Sequence, residues 1–148
     1  MFKHVLIPTD GSKLSQAALR SGIQLAKEQG AQVTALHVMP DYAVMIYGAD
    51  ALLTCNAAEF EKSAQLEADR VLQFAENLAR EQGVPCRTVR VTNVSVHQAI
   101  VKEARDSRCD LICMASHGRK GITGILLGSE TQRVLVNSNI PVLVHRPA

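Results

Sequence analysis

The chain has 148 residues, 47% of them hydrophobic and 20% charged. This is a globular composition, and it excludes a disordered, collagen-like or disulfide-stapled chain. Sixteen basic residues against fourteen acidic ones leave a net charge of +2 with no lysine or arginine block, so nucleic acid is not an expected partner. One core in one domain, residues 1–148, is the expectation.

Phe2 to Ile7 is a β-rich run closed by Pro8, and Asp10-Gly11 follows as a turn signal. Ser12 is a candidate N-cap for a helix reaching Gln29, with Leu14, Ala18, Leu25 and Ala26 at helical spacing, small Ser21 and Gly22 on a close-packing face, and Gly30 as terminator. Gln32 to Met39 reads as a second strand ended by Pro40. The apolar stretch Ala43 to Cys55 is too short to span a bilayer and contains Asp50; it reads as a loop or cover, and no membrane is expected as a partner.

From Ala57 to Gln82 the longest helix keeps Phe60, Ala64, Ala68, Val71, Leu72, Ala75, Leu78 and Ala79 on a period of about 3.6 residues, and Gly83 closes it. Cys86 to Val91 alternates weakly as a third strand. Val96 to Arg105 is a helix with Val96, Ala99, Ile100 and Ala104 inward, and Leu111 to Ala115 is apolar throughout, as a strand covered on both faces would be. Ser129 to Ser138 is a further helix, with Ser129 as its cap and Gln132 in capping-box register; Pro141 to His145 is a last strand. Regular alternation of strand and helix predicts an α/β domain with one doubly wound parallel sheet.

The four cysteines form no C-x-x-C pair. Cys109 and Cys113 have a zinc-like offset, but Cys-Asp-Leu-Ile-Cys reads as strand and no second pair completes a site. Free thiols in a cytoplasmic protein are expected, in keeping with an N-terminus that lacks a signal-peptide pattern.

Ligands of such sheets bind beyond the carboxyl ends of the strands, where strand order reverses. Two loops qualify. Ser116 to Ser129 holds Gly118, Gly121, Gly124 and Gly128 and leads into a helix N-terminus, which makes it a phosphate cradle, or else a tight turn with a cap and solvated Arg119 and Lys120. In Pro8-Thr9-Asp10-Gly11-Ser12 the carboxylate either meets a ribose hydroxyl or a nucleotide-bound Mg²⁺, or forms the turn. His4 and His37 read as strand residues and His97 as a helix opener, whereas His117 is placed to touch phosphate. The cradle is neither a P-loop nor a G-x-G-x-x-G fingerprint.

Pro8-Thr9-Asp10, Leu36-His37-Val38, Ser116-His117-Gly118 with nine residues to Gly128-Ser129, and Pro141-Val142-Leu143-Val144 together resemble the universal stress protein family along nearly the whole chain. That resemblance implies a five-stranded sheet in order 3-2-1-4-5, a homodimer joined through the last strand at Val142 and Val144, and, in one branch, bound ATP or AMP. The carried-over site comprises Pro8 and Thr9 at the entrance, Asp10 toward ribose or Mg²⁺, Val38 and Met114 flanking adenine, and Gly118, Gly128 and Ser129 at the phosphates, with Ala115, His117 and Glu130 beside them. Two positions depart from the family pattern: Ala115 stands where the ATP-binding motif has glycine, and Val94-Ser95-Val96 replaces Gly-x-Pro.

The expected function is therefore an adenine-nucleotide-binding stress sensor or adaptor with at most slow hydrolysis and no catalytic residue. Its alternative is a nucleotide-free interaction module of the same fold. A phosphoacceptor receiver would need an acidic residue where Val91-Thr92 stands and a lysine near His145.

Overall fold

A computed structural model describes residues 1–41, 57–118 and 127–147. The suspected cover at Ala43 to Cys55 and the stretch from Arg119 to Leu126, with Gly121 and Gly124, lie outside them. Strands β1 (His4–Pro8), β2 (Gln32–Met39), β3 (Cys86–Thr92), β4 (Leu111–Ala115) and β5 (Val142–His145) alternate with helices α1 (Lys13–Gln29), α2 (Ala57–Glu81), α3 (Val96–Asp106) and α4 (Ser129–Asn137). All strand pairs are parallel, in the order β3-β2-β1-β4-β5.

Strand alternation divides the core into two layers. Val5, Ile7, Val33, Ala35, Leu111 and Cys113 turn toward Leu19, Ile23 and Ala26 of α1 and Leu72, Ala75 and Ala79 of α2. Leu6, Leu36, Ile112 and Met114 turn the other way, toward Ile100 and Ala104 of α3 and Val134 of α4. Both faces of the central strands are thus covered, and for this reason β4 is buried at all five positions.

The first helix starts and stops on local chemistry. Ser12 accepts the Ser15 N–H at its N-cap, and Gly30 ends it in the left-handed conformation at φ 66°. Its buried stripe is Ser15, Ala18, Leu19, Gly22, Ile23 and Ala26, so the expected stripe through Leu14 and Leu25 is rotated and those two side chains are only partly buried. Gly22 sets how closely α1 approaches the sheet, since a β-carbon there would stand 2.6 Å from Ile7 Cδ1 and 3.2 Å from Cys113 Sγ.

Three further expectations are corrected. Pro8 does not stop β1 but is its last residue, paired with Leu36; proline lacks only its own N–H, and the Thr9 N–H continues the ladder to Leu36 O at 2.8 Å. Phe2 and Lys3 precede the strand, the Lys3 and His4 N–H groups being given to the Asp110 carboxylate at 2.9 and 3.0 Å. At α4 the N-cap is Gly128, not Ser129, and no capping box forms: the Gln132 side chain donates to Leu127 O at 2.9 Å.

Candidate functional site

The order reverses between β1 and β4, whose neighbours run outward to opposite edges. Beyond their carboxyl ends lies a cavity of about 520 Å³. Pro8, Thr9 and Asp10 reach it from β1, Val38 from β2, Met114, Ala115, His117 and Gly118 from β4 and its loop, and Gly128, Ser129 and Glu130 from the start of α4. Every residue of the expected set therefore borders one space.

Much of its wall is apolar, formed by Leu36, Val38, Val96, Ile100 and Met114 of one core cluster, while Asp10, His117, Ser129 and Glu130 add polar groups. The polar groups are held by backbone geometry. Asp10 Oδ1 accepts the Ser12 N–H at 2.9 Å and so forms the turn into α1. Thr9 is buried; its hydroxyl lies 3.1 Å from Ser15 Oγ, and its carbonyl accepts Nδ1–H of buried His37 at 3.0 Å. His37 thus holds the β1 loop through its backbone.

Across the cavity, Thr131 Oγ1 donates to Ala115 O at 2.9 Å and lies 3.1 Å from Ser116 O, fixing α4 to the end of β4. The Gly128 N–H donates to Ser116 O at 2.6 Å. That donor is already spent, so the expectation that Gly128 offers its N–H to a phosphate is corrected. The donors facing the cavity are those of the first α4 turn, to which a glycine N-cap contributes no side chain.

The two described cradle glycines are needed for closeness rather than backbone angle. Gly11, Gly30 and Gly83 are the described glycines with positive φ. Gly118 instead lies so near Asp10 that a β-carbon would be 2.6 Å from its Oδ2, and at Gly128 one would be 3.1 Å from His117 Cα. Ala115 is unstrained, because Arg108 is the one described non-glycine residue with positive φ.

Glu130 borders the cavity, but its carboxylate is engaged elsewhere: Oε2 accepts the His97 N–H at 2.8 Å and Oε1 accepts Arg133 Nη1 at 2.9 Å. His97 thus lies in the opening turn of α3 and donates its N–H to Glu130, while the N-cap is Ser95. Among the described residues no cluster of three metal-ligating side chains occurs. Cys86, Cys109 and Cys113 are free, and among the described residues no helix is long and apolar enough to cross a membrane.

Sequence reasoning missed Ser15, Leu36, Val96, Ile100 and Thr131, which also line the cavity. Periodicity could have found three of them. Leu36 shares a strand face with Val38, and Val96 and Ile100 are four apart on one helix face.

A doubly wound parallel sheet with a mainly apolar cavity that also carries polar groups at its reversal point defines a small-molecule-binding α/β domain. The chain matches the universal stress protein family model over residues 1–146 and belongs to that family. Universal stress protein MJ0531 of Methanocaldococcus jannaschii is 35% identical over 147 residues, spanning 97% of this chain and 82% of that protein. The solved structure of MJ0577 from the same organism has a TM-score of 0.84 at 29% identity, covering 100% of this chain and 98% of that one. A solved universal stress protein in complex with cAMP shares the fold, with a TM-score of 0.71 at 23% identity over 97% of this chain and 96% of that one.

Proposed function

We propose that this chain binds an adenine nucleotide, ATP or AMP, in the cavity between the β1 and β4 loops and acts as a homodimeric stress-response sensor or adaptor in the cytoplasm. Hydrolysis is at most slow. The observation that carries this reading is one cavity that joins an apolar wall to polar groups at a helix N-terminus. A flat, largely apolar base fits the first, with Val38 and Met114 against it, and an anionic tail fits the second at Ser129 and Gly118. Asp10 is placed for the ribose or for Mg²⁺ carried on the phosphates. The cAMP complex of a protein with this fold supports the adenine choice.

The proposed dimer contact is β5, an edge strand bonded, among the described strands, to β4 alone. Unpaired edges favour pairing with a second chain. Val142 and Val144, the expected contacts, share the α3 and α4 side of the sheet, and Val142 packs against the core there. Leu143 faces the other way and is 45% exposed, so Leu143→Lys is a cleaner probe than a charge at Val142. It should convert a sedimenting dimer to monomer without unfolding it; a wild type that sediments as a monomer at micromolar concentration removes the dimer.

The nucleotide is tested by denaturing the purified protein and identifying what it releases, together with calorimetric titration of ATP and AMP. At a hundredfold excess over its dissociation constant, ligand should stabilise the fold by about 2.7 kcal/mol. No released nucleotide and no shift in Tm with millimolar ATP and Mg²⁺ would reject this reading in favour of the nucleotide-free interaction module.

A further inference from the structure

Glu130 differs from the other cavity residues in joining two helices. It occupies the first turn of α4, yet its Oε2 accepts the His97 N–H of the first α3 turn at 2.8 Å, with His97 Nδ1 3.4 Å from the same oxygen. The other oxygen is held by Arg133 at 2.9 Å. This partner matters to α3, because its N-cap Ser95 makes no side-chain cap bond; the Ser95 hydroxyl lies instead 3.1 Å from His97 Nδ1. One carboxylate thus stands at the positive ends of α3 and α4 together, fixed by directional, charge-assisted bonds. Among the described residues lining the cavity, the acids are Asp10 and Glu130, and the one titratable base is His117.

We infer that Glu130 determines specificity by setting the charge of the nucleotide this cavity accepts, favouring a monophosphate over a triphosphate when no divalent cation is present. The inference rests on the nucleotide reading above. A phosphate chain running toward α4 meets N–H groups whose positive potential Glu130 already partly neutralises, and it meets the carboxylate charge as well. Repulsion grows with the charge on the chain, so a triphosphate loses more than a monophosphate. Glu130 cannot turn away without giving up both the His97 N–H and the Arg133 guanidinium. A divalent cation carried by the phosphates offsets most of the difference.

The test is calorimetric titration of ATP and AMP, with and without Mg²⁺, into wild type, Glu130→Gln and Glu130→Ala, each shown to be folded by circular dichroism. Glutamine keeps an oxygen for the His97 N–H while removing the charge and the acceptor that Arg133 holds. Without Mg²⁺, Glu130→Gln should tighten ATP about tenfold and AMP about two- to threefold, and Mg²⁺ should narrow that gap. Glu130→Ala, which also opens the link between the helices, should show the same change in the ATP-to-AMP ratio. A merely structural role would move both nucleotides together, so an unchanged ratio in Glu130→Gln overturns this inference and leaves the nucleotide reading intact. Failure of wild type and both variants to bind either nucleotide overturns that reading, and this inference with it.

Discussion

The Asp10 carboxylate lies against Gly118, so close that a β-carbon on residue 118 would stand 2.6 Å from Asp10 Oδ2. Asp10 Oδ1 is at the same time held by the Ser12 N–H. Gly118→Ala must therefore push the carboxylate out of its turn, which shifts a side chain without breaking the backbone. We expect a stability loss of about 1 kcal/mol, read by urea unfolding, and a drop in nucleotide affinity of about tenfold or more, the loss of one hydrogen bond to a charged group. Unchanged affinity would separate Asp10 from the ligand.

Gly128 has less freedom than Gly118 because its neighbours are backbone. A β-carbon would meet His117 Cα at 3.1 Å and Ser116 O at 3.2 Å. Gly128→Val should cost about 1–3 kcal/mol of stability, as overpacking does, and should abolish nucleotide binding. Ser129→Ala should behave differently. Residue 129 is the first helical residue and not the cap, so its loss should leave the melting temperature of the free protein nearly unchanged. It should weaken nucleotide by about 0.5–1.5 kcal/mol, one net hydrogen bond.

Burial, with the Glu103 and Asp110 charges added, pushes the Cys109 thiol up to about 12; burial alone pushes Cys113 up to about 11. Burial also raises Cys86. In native protein at pH 8, Cys109 and Cys113 should stay protonated and resist a thiol-specific chromogenic reagent, because the thiolate is the attacking form. Denaturation without reductant should release all four thiols of the sequence. A count of two or none would contradict a reduced protein.

Asp110, at the start of β1, contributes to the acid limb of stability. Burial works to raise its carboxyl, but the N–H groups of His4 and Lys3 outweigh it and hold the group below the ordinary carboxylate range. A native value below the unfolded one means stability that is present above about pH 3.9 and lost as pH falls through the native value. Asp110→Asn should cost about 1 kcal/mol at pH 7. That difference from wild type should shrink to nothing in strong acid, measured by urea unfolding across pH. A difference that persists unchanged at low pH would show that charge is not its source.

Much of the frame was legible because hydrophobic period tracks exposure. The unbroken apolar run Leu111–Ala115 announced a strand covered on both faces, and the ends of α1 were marked by the Ser12 hydroxyl and by the missing β-carbon of Gly30. Strand order was not legible in this way. It came with the family resemblance, since periodicity does not say which strands pair. The site residues were found because the loops after β1 and β4 carry their own signals, but their roles were not. Gly128 and Ser129 exchanged places at the cap because both residue types start helices, and only the path of the chain decides between them. The link from Glu130 to the His97 N–H crosses 33 residues, and nothing local to either residue announces it.

Ser116 has a consequence for the thermodynamics of recognition. Its N–H is bound to His145 O at 2.8 Å, and its carbonyl receives Gly128 at 2.6 Å with the Thr131 hydroxyl 3.1 Å away. One buried residue thus ties together the end of β4, the last strand and the fourth helix. Residues so joined have little conformational freedom left to surrender. A molecule entering at this wall pays almost no ordering entropy to it, and the preorganisation that a flexible loop would have to acquire on association is here already completed by folding.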